Sequence, residues 1–257
     1  MTAPRGTLFL VPNTLDLGAF DPQSPPDLQN VLPLGVIRTA ARLQHWVAEN
    51  AKSARAFLKR VDAVVPLAQP LQSIDITELP RPRKGTAHAP APDWSALLGP
   101  ARRGEDLGLI SEAGLPGVAD PGAGLVQAAH AEGLPVTALP GPSSLLLALA
   151  ASGLNGQSFA FVGYLPVDAP ARTARLRELE ALSRRAGQTQ LMIETPYRNE
   201  ALLAALLAAL QPATRLSVSC GLTLAGGFTR SDAVSAWRSR PTTLPADVPA
   251  VFALLAA

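Results

Sequence analysis

Two glycine- and proline-rich segments carry the residues best suited to chemistry. The first runs Ser111-Glu112-Ala113-Gly114-Leu115-Pro116-Gly117-Val118-Ala119-Asp120-Pro121-Gly122, and the second runs Leu139-Pro140-Gly141-Pro142-Ser143-Ser144. Glycine lets backbone approach a ligand closely and proline keeps a loop stiff, so loops built of both are preorganised. In the second, a helix start offers free N–H groups beside two hydroxyls, a set suited to a carboxylate or phosphate. Each loop alone reads equally well as a tight strand-to-helix turn, with Ser143 as the helix cap. Two of them leaving neighbouring strands at one sheet edge point to a shared small-molecule pocket. Other chemistries lack their residues. His45, His88 and His130 are widely separated, and no cluster has metal-ligand spacing, so no metal is expected. Cys220 lies within a strand-like run and reads as a small core residue rather than a nucleophile. The G-x-S-x-G, G-x-G-x-x-G and P-loop patterns are all missing.

The surrounding text supplies elements that position these loops. Thr7 to Val11 is a short apolar run ending at Pro12-Asn13, a buried first strand. From Gly35 to Val61 apolar residues recur at helical spacing, with a strand-like piece between two helices. Residues 62–92 are proline-dense and predict mostly extended connections, after which Asp93 suits a helix cap. Leu107 to Ser111 is a buried strand, Leu125 to Glu132 a helix ended by Gly133, Pro135 to Leu139 a strand, and Ser143 to Ser152 a helix. Strand, loop and helix in alternation predict a parallel α/β sheet with right-handed crossovers. Beyond Asn155-Gly156, strands are predicted at Phe159–Tyr164, Gln190–Ile193, Leu216–Cys220 and Val251–Leu255. Helices are predicted at Arg172–Arg185, Glu200–Leu210 and Asp232–Arg238. The expected domains are residues 1–154 and 155–257.

Composition sets the limits. The chain has 257 residues, 47% hydrophobic and only 16% charged, which excludes a disordered protein and suits a packed core. The longest clean apolar run, Ala201 to Leu210, is too short to cross a bilayer, so no membrane association is expected. One cysteine and no signal-like segment make the cytoplasm the expected compartment. A net charge of +2 built from 19 Arg and 3 Lys reads either as compositional drift or as a phosphate-binding surface. The nearest to clusters are Arg38, Arg42, Lys52, Arg55, Lys59 and Arg60, and separately Arg81, Arg83 and Lys84.

The two loops, with Ser152-Gly153-Leu154 and Phe161-Val162-Gly163-Tyr164-Leu165-Pro166, resemble the tetrapyrrole-methylase superfamily of S-adenosylmethionine-dependent methyltransferases. Within it they are nearest the ribosomal RNA small-subunit methyltransferase I branch, which methylates a cytidine ribose 2′-hydroxyl. That branch has an S-D-A-G-x-P…D-P-G loop, an L-P-G-P loop, a G-F-L-P element and an E-[ST]-x-x-R segment like Glu194-Thr195-Pro196-Tyr197-Arg198. The resemblance is specific from about residue 107 to 210. It implies two α/β domains of the tetrapyrrole-methylase type, S-adenosylmethionine in a cleft between them, a homodimer, and ribosomal RNA or the small ribosomal subunit as partner. Carried over by position, the cofactor-binding residues would be Ser111, Ala113, Gly114, Pro116, Asp120, Pro121, Pro140, Gly141, Ser143 and Ser144. Tyr164, Leu165, Glu194 and Thr195 would face them from the second domain. A hydroxyl acceptor profits from a base, and Glu49, His88 and Glu194 are the candidates, each equally readable as a solvated or structural residue.

The N-terminal motifs depart from the branch. Its T-P-I-G-N-x-x-D loop corresponds to Val11-Pro12-Asn13-Thr14-Leu15-Asp16-Leu17-Gly18 with the glycine displaced. Its A-E-D-T-R-H segment is reduced to Ala48-Glu49-Asn50-Ala51-Lys52-Ser53, and its H-x-x-N-E motif to His88. Three functions therefore stay open: methylation of RNA, methylation of a small-molecule or tetrapyrrole acceptor, and non-catalytic S-adenosylmethionine binding.

Overall fold

Residues 4–18, 26–80 and 92–257 are described by a computed structural model, and they divide into two compact units, Met1–Pro142 and Ser143–Ala257. Unit one runs β1 (Leu8–Leu10), α1 (Leu34–Arg42), β2 (His45–Ala48), α2 (Ala51–Asp62), β3 (Asp75–Glu78), α3 (Gly99–Arg102), β4 (Leu107–Ile110), α4 (Ala123–Ala131) and β5 (Val136–Ala138). Its five strands are all parallel, in the order β3-β2-β4-β1-β5. Leu8 on β1 sits level with Leu107 on one side and Val136 on the other.

Alternation along the strands feeds both faces. Trp46 packs with Ile37, Phe57 and Leu58 of α1 and α2, while Val47 joins Leu98, Ala101, Leu125 and Ala129 on the opposite side. Strand order explains the split. The chain moves one way across the sheet from β1 to β2 to β3, and the other way from β3 to β4 to β5, so right-handed crossovers put α1 and α2 on one face and α3 and α4 on the other. Neighbouring β2 and β4 thus send their chains in opposite directions. The crevice beyond their carboxyl ends is a topological switch point, where open α/β sheets bind ligands.

Unit two runs α5 (Ser144–Ser152), β6 (Phe159–Phe161), α6 (Ala169–Ala186), β7 (Thr189–Glu194), α7 (Asn199–Ala209), β8 (Arg215–Cys220), β9 (Phe228–Ala233), α8 (Val234–Ser239) and β10 (Ala250–Leu255). Its sheet is mixed, ordered β6-β7-β10-β8-β9, with only β6 and β7 parallel. Leu176, Leu202, Leu206 and Trp237 cover one face against Met192, Val218, Cys220 and Phe252, so Cys220 is buried core.

Two expectations need correction. The domain boundary falls before α5 rather than at residue 154, because Leu145, Ala148 and Leu149 pack on Leu191, Val251 and Ala253 of the second sheet. The helix predicted from Asp232 begins at Val234, because Asp232 and Ala233 still pair with Leu216 and Arg215 as the end of β9. Among the described residues no helix is long and apolar enough to cross a membrane, and no group of side chains could hold a metal ion.

Candidate functional site

Four segments leave the carboxyl edge of the first sheet: residues 11–18 after β1, Glu49-Asn50 after β2, residues 111–122 after β4 and residues 139–142 after β5. Asn13 ties the first to the third. Its buried side-chain amide donates to the carbonyls of Ser111 and Glu112, both at 3.1 Å, and its backbone N–H donates to the Gly114 carbonyl at 2.9 Å. The same segment is anchored from below by an ion pair between Asp16 and Arg60 at 3.1 Å, nearly sealed from solvent. Arg60 also donates to the Thr14 hydroxyl and to the Pro26 carbonyl.

The segment after β2 locks onto the long loop through side chains. Glu49 accepts the Glu112 N–H at 3.1 Å, and the Asn50 amide donates to the Glu112 carboxylate at 3.1 Å. Asn50 also caps α2, its oxygen accepting the Lys52 N–H at 2.9 Å. Within the long loop the Ser111 hydroxyl donates to the Ala113 carbonyl, and the Gly117 N–H donates back to the Pro121 carbonyl. Ala119 sits at φ +64°, a left-handed conformation costly for a side-chain-bearing residue, immediately before Asp120.

These contacts frame a cavity of about 640 Å³ at the switch point. Glu49, Asn50, Glu112, Asp120 and Pro121 line it together with Leu79 and Trp94. The Trp94 indole packs against Gly124, where a Cβ would come within 2.5 Å of the ring. Burial pushes the Asp120 carboxyl up to about 6, the Glu49 carboxylate adds to the rise, Ser111 partly offsets it by hydrogen bonding, and Glu112 adds further repulsion. Three carboxylates converging on a partly apolar cavity hold an excess of negative charge.

The remaining candidates scatter. Ser111, Ala113 and Gly114 form the inner turn of the long loop, Gly114 at φ +63° where the chain bridges to Asn13. Pro116 lines a different, apolar hollow of about 500 Å³ with Leu10, Val126 and His130. Gly141 serves packing: a Cβ there would lie 2.3 Å from the Pro12 ring, so Pro140-Gly141-Pro142 is pressed against the loop after β1. His88 lies outside the described residues.

In unit two, Ser143 occupies the cap position of α5, but its side chain makes no capping bond, and Ser144 is the first helical residue. Tyr164 is exposed, whereas the Leu165 side chain is buried in the second unit's core with Leu176 and Leu202, so any ligand contact there would be through its backbone. Glu194 is buried and fully engaged. One oxygen accepts from the backbone and hydroxyl of Thr195, and the other pairs with Arg198 at 2.8 Å. A carboxylate so engaged holds the β7–α7 turn. Asn13, Asn50, Asp16 with Arg60, Glu112 and Trp94 were not singled out from sequence as site residues. Asn13 and Asp16 lie in a motif that departs from the branch pattern, which was the available signal.

A family model described as Tetrapyrrole (Corrin/Porphyrin) Methylases matches residues 36–227. The chain belongs to this family of methylases. Among individual relatives, the ribosomal RNA small subunit methyltransferase I of Xylella fastidiosa is 51% identical over 76 residues, 30% of this chain and 28% of that protein. The protein of the same name from Streptococcus pyogenes is 30% identical over 203 residues, 79% of this chain and 60% of that one. The matches thus span between 28% and 60% of these two relatives' own length. The crystal structure of uroporphyrin-III-C-methyltransferase from Thermus thermophilus matches with a TM-score of 0.51 at 19% identity, covering 98% of this chain and 92% of that one. That likeness establishes a shared methylase fold.

The family's methyl donor, S-adenosylmethionine, bears a sulfonium, an ammonium, a carboxylate and a purine, so its positive groups outnumber its single negative one. The switch-point cavity has the complementary chemistry: three carboxylates for the charges, the Trp94 ring as an aromatic surface, and a volume in the range of small-molecule sites. The residues present fit such a group.

Proposed function

We propose that this chain is an S-adenosylmethionine-dependent methyltransferase acting on ribosomal RNA, with a ribose 2′-hydroxyl as acceptor. The observation that carries the proposal is the carboxylate-lined cavity at the switch point, in a chain whose family is that of methylases and whose curated relatives are named for ribosomal RNA methylation. When bound, S-adenosylmethionine supplies an electrophilic methyl carbon on a sulfonium.

The protein's own contribution is alignment and electrostatics. Asp120, Glu49 and Glu112 would hold the cationic end of the donor. Asn13 and Asn50 fix the loops that carry these carboxylates, so little reorganisation accompanies binding. Glu49 is placed on the rim of the cavity with one oxygen engaged by the Glu112 N–H, leaving the other as an acceptor for the ribose proton. His88 stays a second candidate for that role. The remaining cofactor contacts carried by the resemblance, from Ser111, Ala113, Gly114, Pro121, Pro140, Gly141, Ser143, Ser144, Tyr164 and Thr195, belong to the same proposal, as do a homodimer and a cytoplasmic setting.

Calorimetry with S-adenosylmethionine, followed by transfer of tritiated methyl groups to small ribosomal subunits, free RNA and uroporphyrinogen, tests the reading. Saturable binding and label recovered in RNA ribose are expected. Label in uroporphyrinogen alone would assign a tetrapyrrole acceptor, binding without transfer would make the chain a non-catalytic binder, and no binding would overturn the proposal.

A further inference from the structure

Helix α2 begins at the cavity rim, where its cap Asn50 touches Glu112. Ala54, Phe57, Leu58 and Val61 face the core, and the opposite face carries Lys52, Arg55 and Lys59 at i, i+3 and i+7. All three are exposed. None has an ion-pair partner among the described residues, and the one hydrogen bond given to their charged ends runs from Arg55 to the Ala51 carbonyl of its own helix. Arg60, next in sequence, is turned inward to Asp16 and takes no part in this face.

Lys52 stands out on physical grounds. It occupies the first turn of α2, where the helix dipole is positive, and that turn contains no acidic residue. A cation there opposes the dipole and weakens the helix. The Glu78 carboxylate accepts the Ala51 N–H at 2.8 Å and answers part of that charge from the backbone side. On the outer face no carboxylate among the described residues pairs with Lys52, Arg55 or Lys59. Local rules broken without an internal compensation mark positions held for something outside the fold.

We propose that Lys52, Arg55 and Lys59 form a track for the phosphate backbone of the acceptor RNA, leading a single strand to the rim at Asn50. The track rests on the reading of RNA as substrate. It divides the labour by sign: acidic residues inside the cavity for a cationic donor, basic residues outside it for a polyanion. Phosphates one nucleotide apart in an extended strand are spaced comparably to successive turns of a helix, so a strand laid along α2 meets a cation at each turn. The three cations span seven residues, about 10 Å of helix axis.

The test compares wild type with the charge-neutral variant Lys52→Gln/Arg55→Gln/Lys59→Gln and with the reversal Lys52→Glu/Arg55→Glu/Lys59→Glu, using a 20-nucleotide single-stranded RNA. S-adenosylmethionine affinity is measured alongside. Three lost phosphate contacts should make the slope of log affinity against log salt shallower by about two, and weaken RNA binding about 100-fold near 0.1 M salt. Cofactor binding should hold in the neutral variant, which also reports on folding. Unchanged RNA affinity and slope in both variants would overturn the track while leaving the methyltransferase reading intact. Loss of cofactor binding by wild type would instead sink that reading. An equal loss of RNA affinity on neutralising Arg175 and Arg177 of α6 would also overturn the assignment to α2. So would α2-dependent binding to phosphatidylserine vesicles without RNA binding.

Discussion

Asp120→Asn separates the stability of the cavity from its use. Asp120 is held at about 6 against an ordinary 3.8, raised first by burial and then by Glu49. Moving a carboxyl over that range costs about 3 kcal/mol once it ionises. Asp120 is only partly buried, so solvent screens some of this, and about 1–2 kcal/mol is the expected gain when asparagine replaces the charge. The sign follows from proton binding. Between about pH 4 and 6 the folded protein binds more protons at this site than the unfolded chain, so stability conferred by the protonated form is lost as pH rises through that window and stays flat above it. Urea unfolding at pH 4 and pH 7.5 should therefore show Asp120→Asn close to wild type at the lower pH and more stable at the higher. In the same preparation, S-adenosylmethionine should bind at least tenfold more weakly to the variant. For wild type, binding should tighten as pH rises through 6, because a cation favours the ionised carboxyl. A variant no more stable than wild type at pH 7.5, with unaltered donor affinity, would refute the idea that Asp120 is kept in a costly state for a cationic ligand.

Three further outcomes follow from contacts described above. Gly141→Ala forces a methyl to within 2.3 Å of the Pro12 ring and should destabilise the chain by about 1–3 kcal/mol, read as a lower thermal midpoint. Glu194→Gln leaves the Arg198 guanidinium short of its counter-charge, and should cost about 2 kcal/mol of stability. Turnover per folded molecule should stay near wild type, and a collapse of activity in well-folded protein would assign Glu194 the role of base. His88→Ala should slow methyl transfer with donor affinity nearly unchanged, and a large loss of affinity by calorimetry would remove His88 from the acceptor side.

In the first sheet β1, β2 and β4 were legible because they are short, apolar and buried, whereas the edge strand β3, Asp75-Ile76-Thr77-Glu78, is polar and mostly exposed and was read as part of an extended connection. β9 was not legible either, because Phe228-Thr229-Arg230-Ser231-Asp232-Ala233 is an edge strand whose polar side chains give no two-residue alternation. α5 was predicted as a helix but assigned to the wrong unit. Its run Leu145-Leu146-Leu147-Ala148-Leu149 is apolar all round, so its pattern names no preferred face and no partner sheet. At the site, Glu49 and Asp120 could be read from residue type and motif, but Glu112 and the lashing by Asn13 could not. Its partners are main-chain carbonyls about a hundred positions away, which leave no trace in side-chain identity. Pro116 and Pro121 read as one loop from sequence, yet the reversals at Gly117 and Ala119 turn them toward different hollows.

That lashing carries a consequence for how the pocket can change over time. Because the Asn13 amide grips the chain through the carbonyl oxygens of Ser111 and Glu112, it is indifferent to which side chains those two positions display. Substitutions there would lose the Glu112–Asn50 and Ser111–Ala113 contacts but leave the Asn13 mooring in place, so charge or reach inside the cavity can change while that tie to the strand ends persists.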